Sequence, residues 1–344
     1  MTKIKTALLL ILAASLMASA LGCENGQPMS AAVGSYSDVA ILTDTASLGP
    51  VASQLQRALS VDVDYTIQPE PLFNVDIFDW NDRRNAQVYK NVIVIGLLKG
   101  RDPASKELRS RLGGETMDRQ GKRNFYVAVK SDVYSRNQLV FFVAGNDRTL
   151  MQSGLAKGIG TLINRMKTEN RDRLRDYLFT NGHEVQLENK IRDQMGFGLQ
   201  VPASYHETRF GKGVKDGLVE VAATRPTRTA SIYYLDDADS TIINDHEVLL
   251  ELRRSFGARY LEEDLQDAAG YNWGEDIFAG KLHLVLSGYW QARTGDYGGP
   301  FRTFFLYQPE KRRLYAINVL TYAPGMKKRP YIREATCVAE TLVP

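Results

Sequence analysis

The residues best suited to recognition chemistry lie in one aromatic and glycine-rich segment, residues 288–301. Trp290 and Arg293 precede the run Tyr297-Gly298-Gly299-Pro300-Phe301, and Arg302 follows it directly. Two glycines before a proline predict a sharply turned loop between two strands. Aromatic rings and arginines around such a turn could line a pocket for a sugar ring, a peptide or a partner's side chain. The favoured alternative is that Trp290 and Phe301 are core residues and the glycines only turn the chain.

The common signatures of metal, nucleotide and acyl-transfer sites are incomplete in this sequence. His246-Glu247 begins like the zinc motif HExxH, but Leu250 stands where the second histidine is required. Residues 96–100 match neither the phosphate-loop nor the dinucleotide-binding glycine spacing. Ser287 precedes Gly288, but Val285 stands two residues before it, where the GxSxG nucleophile elbow requires glycine. We therefore predict no catalytic residue, no metal site and no cofactor, and a protein that is not an enzyme is favoured.

Cys23 is the residue with the clearest chemical assignment. Lys3 and Lys5 precede an apolar run over residues 7–21, which is typical of a secretory signal. The run is shorter than the roughly 20 residues that a membrane-spanning helix needs. Ala20-Leu21-Gly22 before Cys23 resembles the lipobox of bacterial lipoproteins, which implies cleavage before Cys23 and acylation of its thiol by chains such as palmitate. The alternative is an ordinary cleaved secretory signal.

The lipobox interpretation also predicts where the protein is held. Residues 1–22 would be the signal peptide, and residues 23–35 are small and polar, as in a flexible tether. Each buried methylene contributes about 0.8 kcal/mol to membrane affinity, so two or three acyl chains hold a protein firmly. Cys23 is not followed by the aspartate of the enterobacterial inner-membrane retention signal, nor by a dense acidic run. We therefore predict a lipid anchor in the cell envelope, at the periplasmic face of the outer membrane.

The composition is that of an ordinary globular protein. Apolar residues make up 44% and charged residues 24% of the chain. The net charge of +3 is small, and it is not gathered in a basic stripe, so we expect no nucleic-acid partner. Cys337 is the second of only two cysteines, which excludes a disulfide framework and predicts a small buried residue.

The spacing of apolar residues predicts an α/β to α+β protein made of two halves. In residues 36–180, strands alternate with helices, and the longest helix begins at Arg148 and closes the half. In residues 181–344, a strand at 197–202 and several hairpins indicate an antiparallel sheet, with helices over 244–263 and 328–342. Each half is thus expected to be a mainly antiparallel or mixed sheet covered by helices.

Four elements of the sequence resemble one family of lipoproteins from Bacteroidetes. They are the lipobox, Gln68-Pro69-Glu70-Pro71-x-Phe73, the W…GGPF element that ends at Phe301, and Tyr322-Ala323-Pro324 with Lys327-Lys328-Arg329. The family is catalogued as domain of unknown function 4837, and the resemblance extends over about residues 35–342. It implies lipidation and an envelope location. It supplies no activity, substrate or catalytic residue.

Two functions from different classes follow from these observations. The leading hypothesis is a non-catalytic envelope lipoprotein that binds a partner protein or an envelope glycan, or that acts as a scaffold. The alternative is an envelope hydrolase or transferase that acts on glycan or peptide in a cleft beside residues 290–301. Paired carboxylates facing an open cleft would favour the alternative.

Overall fold

The computed structural model describes residues 29–113, 125–265 and 270–344 of the chain. These residues form two compact units, each of which is described by itself. The first unit contains the described residues up to Ser53 and Asp76–Gly154, and the second contains Gln54–Val75 and Leu155–Pro344. Cys23 and the signal peptide lie outside the described residues, so cleavage and lipidation stay predictions.

The first unit is built on a five-stranded mixed sheet with the strand order β2-β1-β3-β5-β4. β1, β3 and β5 are parallel, and β4 runs antiparallel to β5. The central strands are almost wholly apolar because the sheet is covered on both faces. The strands are β1 (Asp38–Thr43), β2 (Asn74–Asp79), β3 (Asn91–Leu97), β4 (Phe125–Ser131) and β5 (Leu139–Gly145).

Four helices accompany this sheet in sequence, and local signals set where they begin. They are α1 (Thr45–Leu59), the short α2 (Arg83–Ala86), α3 (Pro103–Leu112) and the long α4 (Arg148–Leu178). The carboxylate of Asp102 accepts a hydrogen bond from the backbone N–H of Ser105 at 2.8 Å, and Pro103 occupies the first turn of α3. At Gly154 in α4, a Cβ would overlap the ring of Phe125, so the glycine permits close packing.

The second unit is built on an antiparallel sheet of eight strands. The order is β10-β11-β12-β13-β8-β7-β6, and the short β9 pairs with β11. The strands are β6 (His206–Lys212), β7 (Asp216–Ala223), β8 (Thr227–Leu235), β9 (Glu263–Leu265), β10 (Asn272–Phe278), β11 (Lys281–Ala292), β12 (Gly298–Gln308) and β13 (Arg313–Tyr322). The helices of this unit are α5 (Val185–Met195), α6 (His246–Phe256) and α7 (Arg329–Ala339), together with most of α4.

The strand β12 shows how this sheet separates two layers of side chains. Phe301 and Phe305 belong to the core that also contains Leu249 and Phe256 of α6. Arg302, between them in sequence, lies on the opposite side and pairs with Asp276. The helix α7 packs against β8 and β13. Alternation along β12 therefore places the core packed on α6 and the Arg302–Asp276 pair on different sides of the sheet.

The structure confirms the α+β class and the two helix-covered sheets. The predicted strand at 197–202 is wrong, because Gly198 and Pro202 make only isolated bridges. The helix predicted over 244–263 ends as an α-helix at Phe256 and continues as a π-helical turn, Gly257–Leu261. Cys337 is buried in α7, as the sequence predicts.

The boundary near residue 180 differs from the division that the structure shows. Residues 54–75 precede most of the first unit in sequence but belong to the second unit. Backbone hydrogen bonds within this segment and side-chain bonds to α7 hold it there, as described below. Within the described ranges, the helices are too short or too polar to cross a membrane.

Candidate functional site

A cavity of about 470 Å³ lies in the second unit, where three segments remote in sequence come together. The first is the segment around Thr66 to Glu70, the second is the hairpin formed by β11 and β12, and the third begins at Lys328, directly before α7. The volume is within the range of small-molecule binding sites, about 300 to 1,000 Å³. Each of these three segments contains residues from the sequence elements that resemble the lipoprotein family.

The first wall of the cavity is a narrow loop over residues 61–72. The N–H of Val63 donates to the carbonyl oxygen of Glu70 at 2.9 Å, and the N–H of Leu72 donates to that of Val61 at 2.7 Å. Pro71 also forms a bridge with Asp62. These bonds close the loop at its base and leave residues 66–68 at its tip, next to the cavity.

Glu70 connects this loop to the start of α7. Its carboxylate is 5% exposed and accepts hydrogen bonds from the N–H groups of Lys328 at 2.6 Å and Arg329 at 3.0 Å. The first N–H groups of a helix lack partners within the helix, and the helix dipole favours negative charge there. The chain's own carboxylate therefore occupies the anion-binding position at this end of α7.

The second wall is the β11–β12 hairpin, and its geometry corrects the predicted loop. Gly298 and Gly299 are not in a turn, because they pair with Gln291 and Trp290 inside the sheet. The turn lies at residues 293–297, where Gly295 has a φ of 78°. Gly298 and Gly299 are needed because a Cβ at either position would overlap a carbonyl oxygen, that of Trp290 or of Thr321.

Three aromatic residues of this hairpin line the cavity, and two of them, Trp290 and Tyr297, contact each other. Trp290 is 5% exposed and belongs to the core of the sheet, whereas Tyr297 is 45% exposed. Their rings meet edge to face at 5.8 Å between centroids, and Tyr297 also contacts the ring of Tyr322 at 5.4 Å. Tyr297 is therefore held by two aromatic neighbours while part of it remains open to a ligand.

Two buried polar atoms of cavity-lining residues have no hydrogen-bond partner within the described ranges. They are the indole Nε1 of Trp290 and the hydroxyl oxygen of Thr66. Gly299 also lines the cavity, and a Cβ added to it would lie 3.6 Å from the Nε1 of Trp290. Both atoms have less than 1 Å² of accessible surface, and a buried polar group without a partner costs about 1–3 kcal/mol of stability.

Tyr289 adds a phenol to the cavity wall. Burial is the main reason that its pKa is raised to about 12, and the nearby carboxylates of Glu70 and Asp64 raise it further. The hydroxyl therefore keeps its proton at neutral pH and can donate a hydrogen bond. The ammonium group of Lys328 donates to the carbonyl oxygen of Met326 at 2.6 Å.

The structure brings only part of the predicted site together. Trp290, Tyr297, Gly298 and Gly299 line the cavity. Phe301 is fully buried in the core, as the structural alternative predicts.

The two predicted arginines lie elsewhere. Arg293 forms an exposed ion pair with Asp264 at 3.6 Å. Arg302 pairs with Asp276 at 3.0 Å, and its guanidinium lies 4.9 Å from the ring centroid of Tyr65.

Sequence reasoning missed the contribution of Thr66, Glu70, Tyr289 and Lys328 to this cavity. Glu70 and Lys328 stand in two of the elements that carry the family resemblance, so a signal was present. The signal did not show that these elements meet, because Glu70 and Lys328 are separated by 258 positions in the chain.

The acidic groups of the cavity lining have defined surroundings. It has two carboxylates in its lining, Glu70 and Asp296. Both oxygens of Glu70 accept backbone hydrogen bonds, so this group acts as a helix cap. Asp296 lies in the exposed hairpin turn. The described part of the chain contains no cluster of three histidine, cysteine or acidic side chains that could hold a metal ion.

Residues 184–341 match a domain of unknown function, DUF4837. Residues 32–178 match a second family model, also described as a domain of unknown function, DUF8532. The resemblance to the first of these families is therefore confirmed for the second part of the chain, and the first part matches a different model. No curated protein matches the chain at a significant level.

Proposed function

We propose that this protein is a lipid-anchored binding protein of the bacterial cell envelope, with the cavity of the second unit as its binding site. The observation that carries the proposal is the convergence of three remote segments on a cavity with aromatic walls. The anchor is Cys23, and the residues after it are small and polar enough to form a tether to the membrane surface.

Binding without turnover is the function that the cavity chemistry favours. Glycoside hydrolysis uses a pair of carboxyl groups, one of which must donate a proton to the leaving group. Glu70 is committed to two N–H groups of the α7 terminus, and Asp296 is on the hairpin turn. The described cavity lining contains no histidine, cysteine or serine to serve as base or nucleophile.

Binding to envelope fractions tests this proposal. The chain from residue 23 onward with Cys23→Ser, which removes only the acyl acceptor, would be mixed with purified envelope fragments and sedimented. We expect saturable co-sedimentation that Tyr297→Ala weakens by about fivefold or more, because Tyr297 is the exposed aromatic group of the cavity. Tyr177→Ala is the matched control, because Tyr177 is an exposed tyrosine of α4 outside the cavity lining.

Two results would contradict the proposal. Absence of saturable co-sedimentation would remove the binding function. Equal effects of Tyr297→Ala and Tyr177→Ala would remove the cavity as its site. Release of soluble fragments during the incubation would instead favour the hydrolase alternative.

A further inference from the structure

We infer that one end of the first unit rests on the membrane that holds the anchor, through an apolar patch formed by Met29, Val33 and Val88. The inference rests on the lipid anchor of the proposed function, and it concerns a surface of the first unit rather than the cavity. The occupant of this surface is the lipid bilayer itself. Three observations lead to this assignment.

The first observation is that the chain after the anchor is fixed to the first unit earlier than the sequence predicts. The sequence predicts a flexible tether over residues 23–35. In the structure, the N–H of Ala32 donates to the carbonyl oxygen of Arg136 at 2.8 Å. The N–H of Val33 donates to the carbonyl oxygen of Val88 at 2.7 Å. The end of this segment is therefore held along the unit and does not act as a tether.

The second observation is the short reach of the chain between the anchor and this fixed segment. Met29, at which the described part of the chain begins, is the sixth residue after Cys23. Six residues span about 20 Å even when they are fully extended. This end of the first unit therefore lies close to the bilayer surface when Cys23 is acylated.

The fixed segment also defines which end of the five-stranded sheet is near the anchor. Its partner Val88 precedes β3, and its partner Arg136 precedes β5. Both strands belong to the parallel set that includes β1. The segment thus lies at the amino ends of the parallel strands, and the end at which these strands finish faces away from the membrane.

The third observation is where the first unit exposes its apolar side chains. Among the described residues of this unit, the exposed large hydrophobic residues are Met29, Val33 and Val88, which are 39%, 57% and 38% exposed. Val33 is bonded to Val88, and Met29 is four residues before Val33. Single exposed hydrophobic residues are ordinary, whereas a group of them marks an interaction surface. This group lies where the chain arrives from the anchor.

Two tyrosines and a lysine beside the patch suit the headgroup region of a bilayer. Tyr36 and Tyr89 are half-buried, and tyrosine rings are enriched at the interface between membrane and water. The ammonium group of Lys90 lies 4.2 Å from the ring centroid of Tyr36. A lysine can place its apolar stem against lipid while its charge remains in water.

The charges around the patch are of both signs. Lys90 and Arg136 are accompanied by Asp38 at the start of β1 and by Asp76, which accepts a hydrogen bond from the hydroxyl of Tyr89 at 2.9 Å. We therefore expect contact with the bilayer to depend on the apolar side chains more than on lipid charge. A weak contact is sufficient, because a short tether gives an effective concentration on the order of millimolar.

Fluorescent labels on either side of β3 test this orientation. Val88 precedes the strand and Lys99 follows it, and both are exposed. Val88→Cys and Lys99→Cys would each be made in the chain from residue 23 with Cys23→Ser and labelled with a polarity-sensitive fluorophore. The thiol of Cys337 is buried and does not compete for the label. Six histidines before residue 23 would hold the protein on vesicles of phosphatidylethanolamine and phosphatidylglycerol that contain a nickel-chelating lipid.

Lipids that carry a nitroxide quencher then report which label is near the bilayer. We expect quenching of the label at Val88→Cys to exceed that at Lys99→Cys by about twofold or more, because β3 separates the two positions by about 20 Å. The emission of the label at Val88→Cys should also move to shorter wavelength on vesicles.

Matched substitutions identify the apolar contact. Val33→Glu should remove the difference in quenching between the two labels, because a carboxylate in the patch must stay hydrated. Val214→Glu is the control, since Val214 is a fully exposed valine of the second unit, and it should leave the difference unchanged. Circular dichroism checks the fold of both variants, and Met29→Glu repeats the test if Val33→Glu does not fold.

Equal quenching of the two labels would overturn the inference, as would stronger quenching at Lys99→Cys. A difference in quenching that survives both Val33→Glu and Met29→Glu would remove the apolar patch as the contact. The histidines replace the acyl chains in this experiment, so its result does not depend on acylation of Cys23. Failure here would leave the proposed anchor and the binding function of the cavity standing, and those are decided by the mass of the native protein and by co-sedimentation.

Discussion

Replacing Glu70 by alanine should destabilise the second unit and weaken the attachment of the loop at residues 61–72 to α7, leaving the bond from Arg333 to Leu72. The substitution removes two hydrogen bonds from a carboxylate to the N–H groups of Lys328 and Arg329. Hydrogen bonds to charged groups contribute about 1.5–3 kcal/mol each, and Arg329 is buried. Allowing for entry of water, we expect the free energy of unfolding to fall by about 3–5 kcal/mol.

Glu70→Gln separates the contribution of charge from that of shape. Glutamine keeps one acceptor oxygen, but its NH₂ group would face the second backbone N–H. We therefore expect a smaller loss, about 1–2 kcal/mol, together with weaker ligand binding because the loop carries Thr66.

Urea unfolding followed by tryptophan fluorescence measures these effects, since Trp273 and Trp290 both lie in the second unit. Glu184→Ala is the control. Glu184 stands before the first turn of α5, where its side chain makes no capping hydrogen bond, so the change should be within about 0.5 kcal/mol. If Glu70→Ala lowered the free energy of unfolding no more than Glu184→Ala, the proposal that Glu70 caps α7 and stabilises the cavity wall would be wrong.

Three further predictions concern the glycines, the buried acids and the anchor. Gly299→Ala should lower the free energy of unfolding by about 2–3 kcal/mol, because the new Cβ would overlap the carbonyl oxygen of Thr321. Gly274→Ala is the control in the same urea assay. It should be nearly neutral, because a Cβ at that position would have none of the surveyed neighbouring atoms within 4 Å. Burial raises the pKa of Glu340 from 4.5 to about 7, with Arg171 opposing the shift. The folded state therefore binds the proton more tightly, so the stabilising contribution of Glu340 is complete below pH 4.5 and is lost as the pH rises to about 7. Urea titrations at several pH values measure how the free energy of unfolding changes with pH. Glu340→Gln should reduce that change by about 1–3 kcal/mol, and an unchanged pH profile would contradict the raised pKa of Glu340. Finally, protein purified from its native membranes should have the mass of residues 23–344 plus acyl chains, and Cys23→Ser should lose the acyl mass.

The fold could be predicted largely because its strands and helices carry strong local signals. The buried run at Asn91–Leu97 and the amphipathic pattern of α6 identify these elements without knowledge of tertiary contacts. The strand β6 was not predicted, because it is largely exposed and its residues His206–Lys212 are mostly polar or charged. The segment 197–202 has an apolar pattern but finds only single bridge partners.

The site could be predicted only in part, because its decisive features depend on distant residues. The aromatic character of Trp290 and Tyr297 is visible in the sequence, and so is the pair Gly298-Gly299. The role of those glycines is not, since a glycine pair fits a turn as well as it fits a crowded strand. Only the structure shows that the backbone at Trp290 and Thr321 occupies the space where a Cβ would stand.

Because residues 54–75 belong to the second unit, the chain cannot be cut near residue 180 into two complete units, and recombination of the gene at that point is restricted. The two family models meet near residue 180 and suggest two independent modules. A fragment limited to 184–344 would nevertheless lack Glu70, whose carboxylate caps α7, and Leu72, whose carbonyl oxygen accepts a hydrogen bond from Arg333. It would also lose Asp64, whose carbonyl oxygen accepts from Asn272. Recombination that separated the two regions would remove one wall of the cavity, so we expect selection to keep them together in one gene.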